Sequence, residues 1–319
     1  MRVAHQFAPA MSALLAGLPG ITSATHIPAE DRWALPTDVD VLFVLHGEGD
    51  HDARHAAADA PRPPGWPGQV RLVQLASAGA DDYPPWLWEA PAVASASGTT
   101  AIPIAEYALA VMLAHAKRLA DVTLKPGDAW PDRQNFIGQP LGLLHGRTLG
   151  LVGLGNIARR IGHLGHAFGM TVIAARARPE PSPDPWISTA PLDEVVARAD
   201  HLALAAPITP ATQHMINGDR LARMKSDAHI VNVGRGGLID QAALLAELDK
   251  GRLWASLDVT DPEPLPPGHP LIGHARVKVT PHISWSNPDI NRAIMQRLVE
   301  NIGRLAAGQP LVGAVATAP

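Results

Sequence analysis

The sequence predicts an α/β protein built on doubly wound parallel sheets, and three observations carry that prediction. From Leu149 onward, short β-branched runs alternate with helix-compatible stretches, the pattern of strands covered by helices on both faces. A Gly-x-Gly turn, Gly153-Leu154-Gly155, joins the first of those runs to the helix-compatible stretch after it. Two long helical stretches bracket the alternating region, so the chain is expected to cross from a first domain into a second and later return.

Taken in order, residues 12–18 are mildly apolar but short, and His5, Gln6 and Pro9 interrupt the approach to them. They read as a first helix rather than a secretory signal. Residues 39–45 and 70–75 read as buried strands, with a Pro-rich turn over 61–67. Residues 102–119 form the first long helix, with Ile104, Ala108, Val111, Met112 and Leu119 available for its buried face. Strands are expected at 171–174, 201–205, 230–233, 255–259 and 277–280, and helices at 192–199 and 241–250. Asp240 is the natural N-cap of the latter helix and Gly251 its stop. Four prolines in residues 179–185 mark a surface loop. The second long helix is expected to start after Asn287 as N-cap, with Pro288 in its first turn and Gly308 at its end.

Composition excludes several classes of function. A chain of 319 residues with 46% hydrophobic content suits two ordinary soluble domains. A net charge of −4 gives no reason to expect nucleic acid or an anionic membrane as partner. Cysteine is absent, which removes disulfides, thiolate nucleophiles and Cys-based metal sites. No apolar run approaches the ~20 residues of a membrane span, so the cytoplasm is the expected compartment. Among the 15 histidines, the pairs His51/His55 and His163/His166 have metal-like spacing. Neither has a third ligand nearby, and both read as solvated surface histidines, so no metal is expected.

The chemistry concentrates after strands. Gly153 permits a tight turn, and Gly155 lets backbone approach a pyrophosphate at the N-terminus of the next helix. Ala158 stands at the third position of the dinucleotide fingerprint, where only close packing is at stake. Three further motifs follow strands: Asn232-Val233-Gly234-Arg235-Gly236, Asp258-Val259-Thr260-Asp261-Pro262-Glu263-Pro264, and Thr280-Pro281-His282. Ligands of open α/β sheets bind outside the carboxyl ends of strands, so Arg235, Glu263 and His282 can converge beside a cofactor. Taken singly they have plainer readings, a surface ion pair and a strand-end histidine bonded to backbone. Together at strand ends they read as an active site.

With Ser77-Ala78-Gly79-Ala80-Asp81, Ile104-Ala105-Glu106-Tyr107 and Pro207-Ile208-Thr209-Pro210-Ala211-Thr212 in the same order, the chain resembles the D-isomer-specific 2-hydroxyacid dehydrogenase family. The resemblance implies two Rossmann-like α/β domains, the cofactor domain (99–285) inserted into a substrate domain (1–98 and 286–319). It implies that Gly153, Gly155, Asn156, Ile157, Pro207, Thr212, Val233 and Asp258 line the cofactor with His282, and that a homodimer forms through the cofactor domains. It also implies that Ser77, Ala78 and Gly79 bind the substrate carboxylate, where a glycine-containing turn can form a nest of N–H groups. Asp258 has the plainer reading of a turn cap. Trp285 reads equally as a substrate-pocket wall or a core side chain.

Roles also follow from the residues. Reduction of a 2-keto acid needs a hydride and a proton on the carbonyl oxygen, and imidazole titrates close enough to neutrality to supply the proton. Glu263 bonded to His282 would favour the imidazolium and fix the ring. Arg235 offers a planar fork to carboxylate or carbonyl. Arg176, with Arg178 close behind, stands where an NAD enzyme places its ribose-binding carboxylate. A guanidinium there suits a 2′-phosphate, so NADP is expected over NAD. The resulting expectation is an NADPH-dependent reductase of small 2-keto acids of the glyoxylate or hydroxypyruvate type. Alternatives are an NAD-dependent D-2-hydroxyacid or phosphite-type dehydrogenase and a non-catalytic nucleotide-sensing corepressor. Formate dehydrogenases of this scaffold carry Gln in place of Glu263, which argues against that activity.

Overall fold

Two all-parallel sheets organise the chain. The computed structural model describes residues 1–45, 59–81, 83–177, 180 and 182–315. It forms two units, Met1–Thr100 with Ser286–Pro319, and Ala101–Trp285.

The first unit contains β1 (Arg2–His5), α1 (Met11–Ala16), β2 (Ser23–His26), β3 (Val41–Val44), β4 (Leu72–Leu75) and β5 (Val93–Ala94). The strands lie in the order β2-β1-β3-β4-β5, a doubly wound arrangement. β3 and β4 are buried along their whole length, as expected of central parallel strands covered on both faces. One face packs Leu42, Val44, Val73 and Leu75 on Trp66, Trp86 and Leu87. On the other, Val41, Phe43 and Leu72 meet Met295, Leu298 and Ile302. Those last three come from the chain's return helix, α9 (Ile290–Ala306). A buried polar clamp fixes it there, the Asn301 amide donating to Gln74 Oε1 at 2.7 Å.

The return helix begins later than its sequence suggests. Asn287 Oδ1 accepts from the Asp289 N–H at 2.9 Å, closing a turn two residues on. Asp289 rather than Asn287 is the N-cap, so Pro288 lies before the helix. Gly308, at φ +64°, does follow its end.

The second unit opens with α2 (Ala101–Ala116), α3 (Leu119–Val122) and α4 (Arg133–Gly138). The alternating region follows as β6 (Thr148–Val152), α5 (Asn156–Ala167), β7 (Thr171–Ala175), β8 (Ile187–Thr189), α6 (Leu192–Arg198) and β9 (His201–Leu204). It continues through α7 (Gly218–Arg223), β10 (His229–Asn232), α8 (Gln241–Asp249), β11 (Trp254–Leu257) and β12 (Val277–Val279). The sheet order is β12-β11-β10-β9-β6-β7-β8, which reverses between β6 and β9, the crevice where such sheets bind dinucleotides. Ile104, Ala108, Met112 and Ile161 cover one face, and Val195, Leu221, Leu244 and Leu248 the other.

Asp240 caps α8 by accepting from the Ala243 N–H at 3.0 Å, and Gly251 ends it at φ +69°. The first long helix stops short of its expected span. Arg118 adopts a left-handed conformation, φ +49°, and Leu119 is 49% exposed rather than part of the buried face. Among the described residues, no helix is long and apolar enough to cross a membrane.

Candidate active site

At the end of β6 the backbone turns at Gly153, φ +90°, where a Cβ would stand 3.0 Å from the Ala205 carbonyl oxygen and 3.1 Å from the Ala206 nitrogen. The turn therefore threads against the chain leaving β9, at the reversal of strand order. Two residues on, a Cβ on Gly155 would meet nothing within 4 Å. Gly155 is also the N-cap of α5, and the helix starts at Asn156. An open glycine face beside the N–H groups of a helix start fits the pyrophosphate of a dinucleotide. Ala158 is fully buried, in keeping with a packing role.

Arg176 directly follows β7, and its guanidinium donates to the Glu180 carboxylate at 3.2 Å and carbonyl at 3.3 Å. Arg178, the His46-Gly47-Glu48-Gly49 stretch after β3, and the His51/His55 pair lie outside the described residues. Thr212 folds onto its own loop, donating to the Pro207 carbonyl and accepting from the Thr209 N–H, both at 2.8 Å. Val233 is buried at the end of β10. The rings of His163 and His166 both lie against Trp186, His166 stacked at 5.4 Å.

Arg235, Glu263 and His282 leave three neighbouring strands, β10, β11 and β12, at their carboxyl ends. Buried Asn232 shapes the Arg235 loop, its amide donating to the Arg235 carbonyl at 2.9 Å while Oδ1 accepts from the Gly234 N–H at 3.1 Å. The next residue, Gly236, lies so close to the neighbouring loop that a Cβ there would fall 2.0 Å from the Thr260 carbonyl carbon. The Gln241 amide also donates to the Asp261 carbonyl oxygen. The loops carrying Arg235 and Glu263 are thus in direct backbone contact.

His282 Nδ1 stands 2.7 Å from Glu263 Oε1. With Nδ1 engaged by a carboxylate, Nε2 is the nitrogen left to exchange a proton. His282 has φ +52°, a conformation that costs a side-chain-bearing residue on the order of 1–3 kcal/mol and gathers at functional sites. Asp258, 1% exposed, holds the turn around it, accepting from the Thr280 hydroxyl at 2.6 Å and from the Ile283 and Ser284 N–H groups at 3.0 Å. Trp285 is 42% exposed, and its indole donates to the His282 carbonyl at 2.7 Å.

The structure therefore ties Asp258, Glu263, His282 and Trp285 into one bonded group. Ser77 belongs to the other unit. Its hydroxyl donates to the Gly79 carbonyl at 2.5 Å and meets the Tyr83 hydroxyl at 2.8 Å. Sequence reasoning gave no role to Asn232, Thr280 or Tyr107. Each lies within a quoted motif, yet its contribution depends on partners that sequence spacing alone does not reveal.

The model of the D-isomer specific 2-hydroxyacid dehydrogenase family, NAD binding domain, matches residues 109–284. That match defines the class of the protein, a nicotinamide-dependent oxidoreductase. Hydroxypyruvate reductase of Thermotoga maritima is 35% identical over 213 residues, 66% of this chain and 68% of that protein. D-3-phosphoglycerate dehydrogenase of Methanocaldococcus jannaschii is also 35% identical, over 68% of this chain but 41% of its own length. The crystal structure of the TT0316 protein from Thermus thermophilus shares the fold with a TM-score of 0.74 at 29% identity, covering 99% of this chain and 100% of that one. The chain belongs to the D-isomer-specific 2-hydroxyacid dehydrogenase family.

Proposed function

We propose that this protein reduces a small 2-keto acid of the glyoxylate or hydroxypyruvate type to its D-2-hydroxy acid, with NADPH as the favoured cofactor. The observation that carries the reading is the 2.7 Å contact between His282 Nδ1 and Glu263. When bound, the reduced nicotinamide supplies the hydride. Gly153, Gly155, Asn156 and Ile157 would hold the pyrophosphate, with Pro207, Thr212, Val233 and Asp258 along the rest of the cofactor. His282 gives its Nε2 proton to the carbonyl oxygen, and Glu263, bonded to Nδ1, keeps the ring oriented. Arg235 steadies the substrate carboxylate and the charge developing on the carbonyl oxygen. On this reading residues 99–285 form the cofactor domain. Trp285, at the end of that domain, is a wall of the substrate pocket; the rest of the chain is the substrate domain, in which Ser77, Ala78 and Gly79 contribute N–H groups to a carboxylate.

Turnover of glyoxylate or hydroxypyruvate with NADPH tests the proposal, and absence of turnover with every small 2-keto acid would sink it. Arg235→Lys keeps the charge and loses the fork. The expected result is a fall in kcat/KM for the keto acid of about tenfold or more, the value of one charge-assisted hydrogen bond. A near-wild-type kcat/KM would show that Arg235 is not a bidentate clamp.

Cofactor preference rests on Arg176 in the place of the ribose-binding carboxylate. Its bond to exposed Glu180 is a surface pair of small energy, which a phosphate of higher charge can displace. Steady-state kinetics should give a kcat/KM about tenfold higher for NADPH than for NADH. Arg176→Asp, which adds repulsion, should abolish or reverse that ratio. A wild-type preference for NADH would overturn it.

A homodimer is part of the same reading. Leu119, Leu124, Trp130, Phe136, Ile137, Leu141 and Leu143 are all exposed, Trp130 by 86%. So dense an apolar run on one short segment is typical of a surface that a partner covers.

A further inference from the structure

We propose that Tyr107 and Thr280 are positioning residues for His282, forming with Asp258 a hydrogen-bond relay that braces the left-handed turn on which the imidazole stands. The inference rests on the reading of His282 as the proton donor and adds residues that act on it through the turn.

Asp258 makes most of the hydrogen bonds that hold the turn, beside a second bond from the His282 N–H to the Thr280 carbonyl at 3.0 Å. The Asp258 backbone carbonyl accepts from the His282 N–H at 2.9 Å, Oδ1 from the Ile283 N–H and Oδ2 from the Ser284 N–H, each at 3.0 Å. Consecutive N–H groups gripped by one buried carboxylate keep a non-glycine residue at φ +52°, where it would otherwise relax. The carboxylate in turn is fixed from outside. An ionised carboxylate only accepts, so the single hydroxyl proton of Thr280 must go to Asp258 Oδ1, 2.6 Å away. Thr280 Oγ1 is then left as an acceptor, and the hydroxyl 2.6 Å from it is that of Tyr107. The direction of the relay is therefore determined: Tyr107 donates to Thr280, and Thr280 donates to Asp258.

Tyr107 sits on α2, more than 170 residues before Thr280, so the relay ties the turn to a helix packed on the sheet. Burial pushes the Tyr107 phenol up from its ordinary range, with the Asp258 charge adding to the effect and the Thr280 bond opposing it. The phenol thus stays protonated and able to donate throughout the pH range of an assay. Removing its hydroxyl withdraws a donor from Thr280, loosens the grip on Asp258, and lets the His282 ring drift from Glu263.

Three single variants, one double variant and two readouts test this. Tyr107→Phe keeps the ring, Thr280→Val removes the hydroxyl with little change of shape, and Thr280→Ser restores it. We expect Tyr107→Phe and Thr280→Val each to lower kcat by about 3- to 10-fold, the worth of one hydrogen bond. The KM values for cofactor and keto acid should stay within about twofold, and the alkaline limb of kcat/KM should move to lower pH. Thr280→Ser should behave as wild type. The double variant Tyr107→Phe/Thr280→Val should be no worse than Thr280→Val alone, since both cut one chain of bonds. The second readout needs no turnover: the downfield proton resonance of the His282 Nδ1–H against Glu263, assigned by its loss in His282→Asn, should weaken in Tyr107→Phe and Thr280→Val and persist in Thr280→Ser. Wild-type kcat, an unmoved pH limb and an unchanged resonance in Tyr107→Phe would overturn the relay, as would simply multiplicative losses in the double variant. If the resonance responds but no keto acid is turned over, the relay stands and the proposed reaction fails.

Discussion

Replacing His282 by Ala should lower kcat by about 10²–10⁴-fold, the usual contribution of a positioned general acid. The dissociation constant of NADPH should meanwhile stay within about twofold, because the proposed phosphate site at Gly153–Asn156 lies after a different strand, β6. His282 stands at φ +52°, so Ala adds backbone strain to the chemical loss. Asn tolerates that conformation better and makes the cleaner partner variant. His282→Asn should lose as much in kcat as Ala while unfolding closer to the wild-type temperature. Fluorescence titration with NADPH separates binding from turnover. Normal turnover by either variant across neutral pH would remove His282 from the mechanism.

Acidification between pH 6.5 and about 4 should destabilise the second unit by several kcal/mol, before most carboxylates are protonated. The cause lies at the opposite end of the strands from the proposed active site. His201 and His229 are paired across β9 and β10, and His115 from the last turn of α2 stacks on His229 with ring centres 4.4 Å apart. Burial lowers His201 to about 4 and His229 well below its ordinary value, with repulsion from His115 adding to both and from His201 adding to His229. It lowers His115 as well. Asp200 and Asp227 oppose these effects, and Arg147 and Arg276 reinforce them.

Each ring is held neutral in the folded state and takes a proton once unfolded, so the unfolded chain binds more protons as pH falls below about 6.5. Stability is complete above that value and is lost progressively below it. A displacement from 6.5 to about 4 corresponds to roughly 3 kcal/mol at most for His201. Denaturant melts at pH 7.5, 6 and 5 measure the slope, and His201→Leu should flatten it. The same slope in that variant would place the acid sensitivity elsewhere.

Legibility in the sequence followed the range of the interactions involved. Strands β7, β9, β10 and β11 were readable because both faces are covered and they are buried almost throughout, and the edge strand β12 was readable from its two valines although Lys278 between them is exposed. β2 and β8 carry exposed Ser23, Ser188 and Thr189 and lie at sheet edges, so no such run marks them. Local signals such as the Asp240 cap also read correctly. The start of α9 did not, because Asn287 was equally able to close a turn. Arg235, Glu263 and His282 were visible as motif residues at strand ends. Their supports, Asn232, Thr280 and Tyr107, were not. A hydrogen bond spanning 173 residues, as between Tyr107 and Thr280, leaves no trace in local periodicity.

The contact between Gly236 and Thr260 bears on how this site can be altered. A methyl group at position 236 has backbone rather than a yielding side chain in its way, so the two loops must part to admit it. Such a change acts on Arg235 and Glu263 at once. Libraries that vary one loop while freezing the other will therefore return mostly inactive clones at this position. Sampling residues 234–237 jointly with 259–262 is the route by which either loop can be varied without separating Arg235 from Glu263.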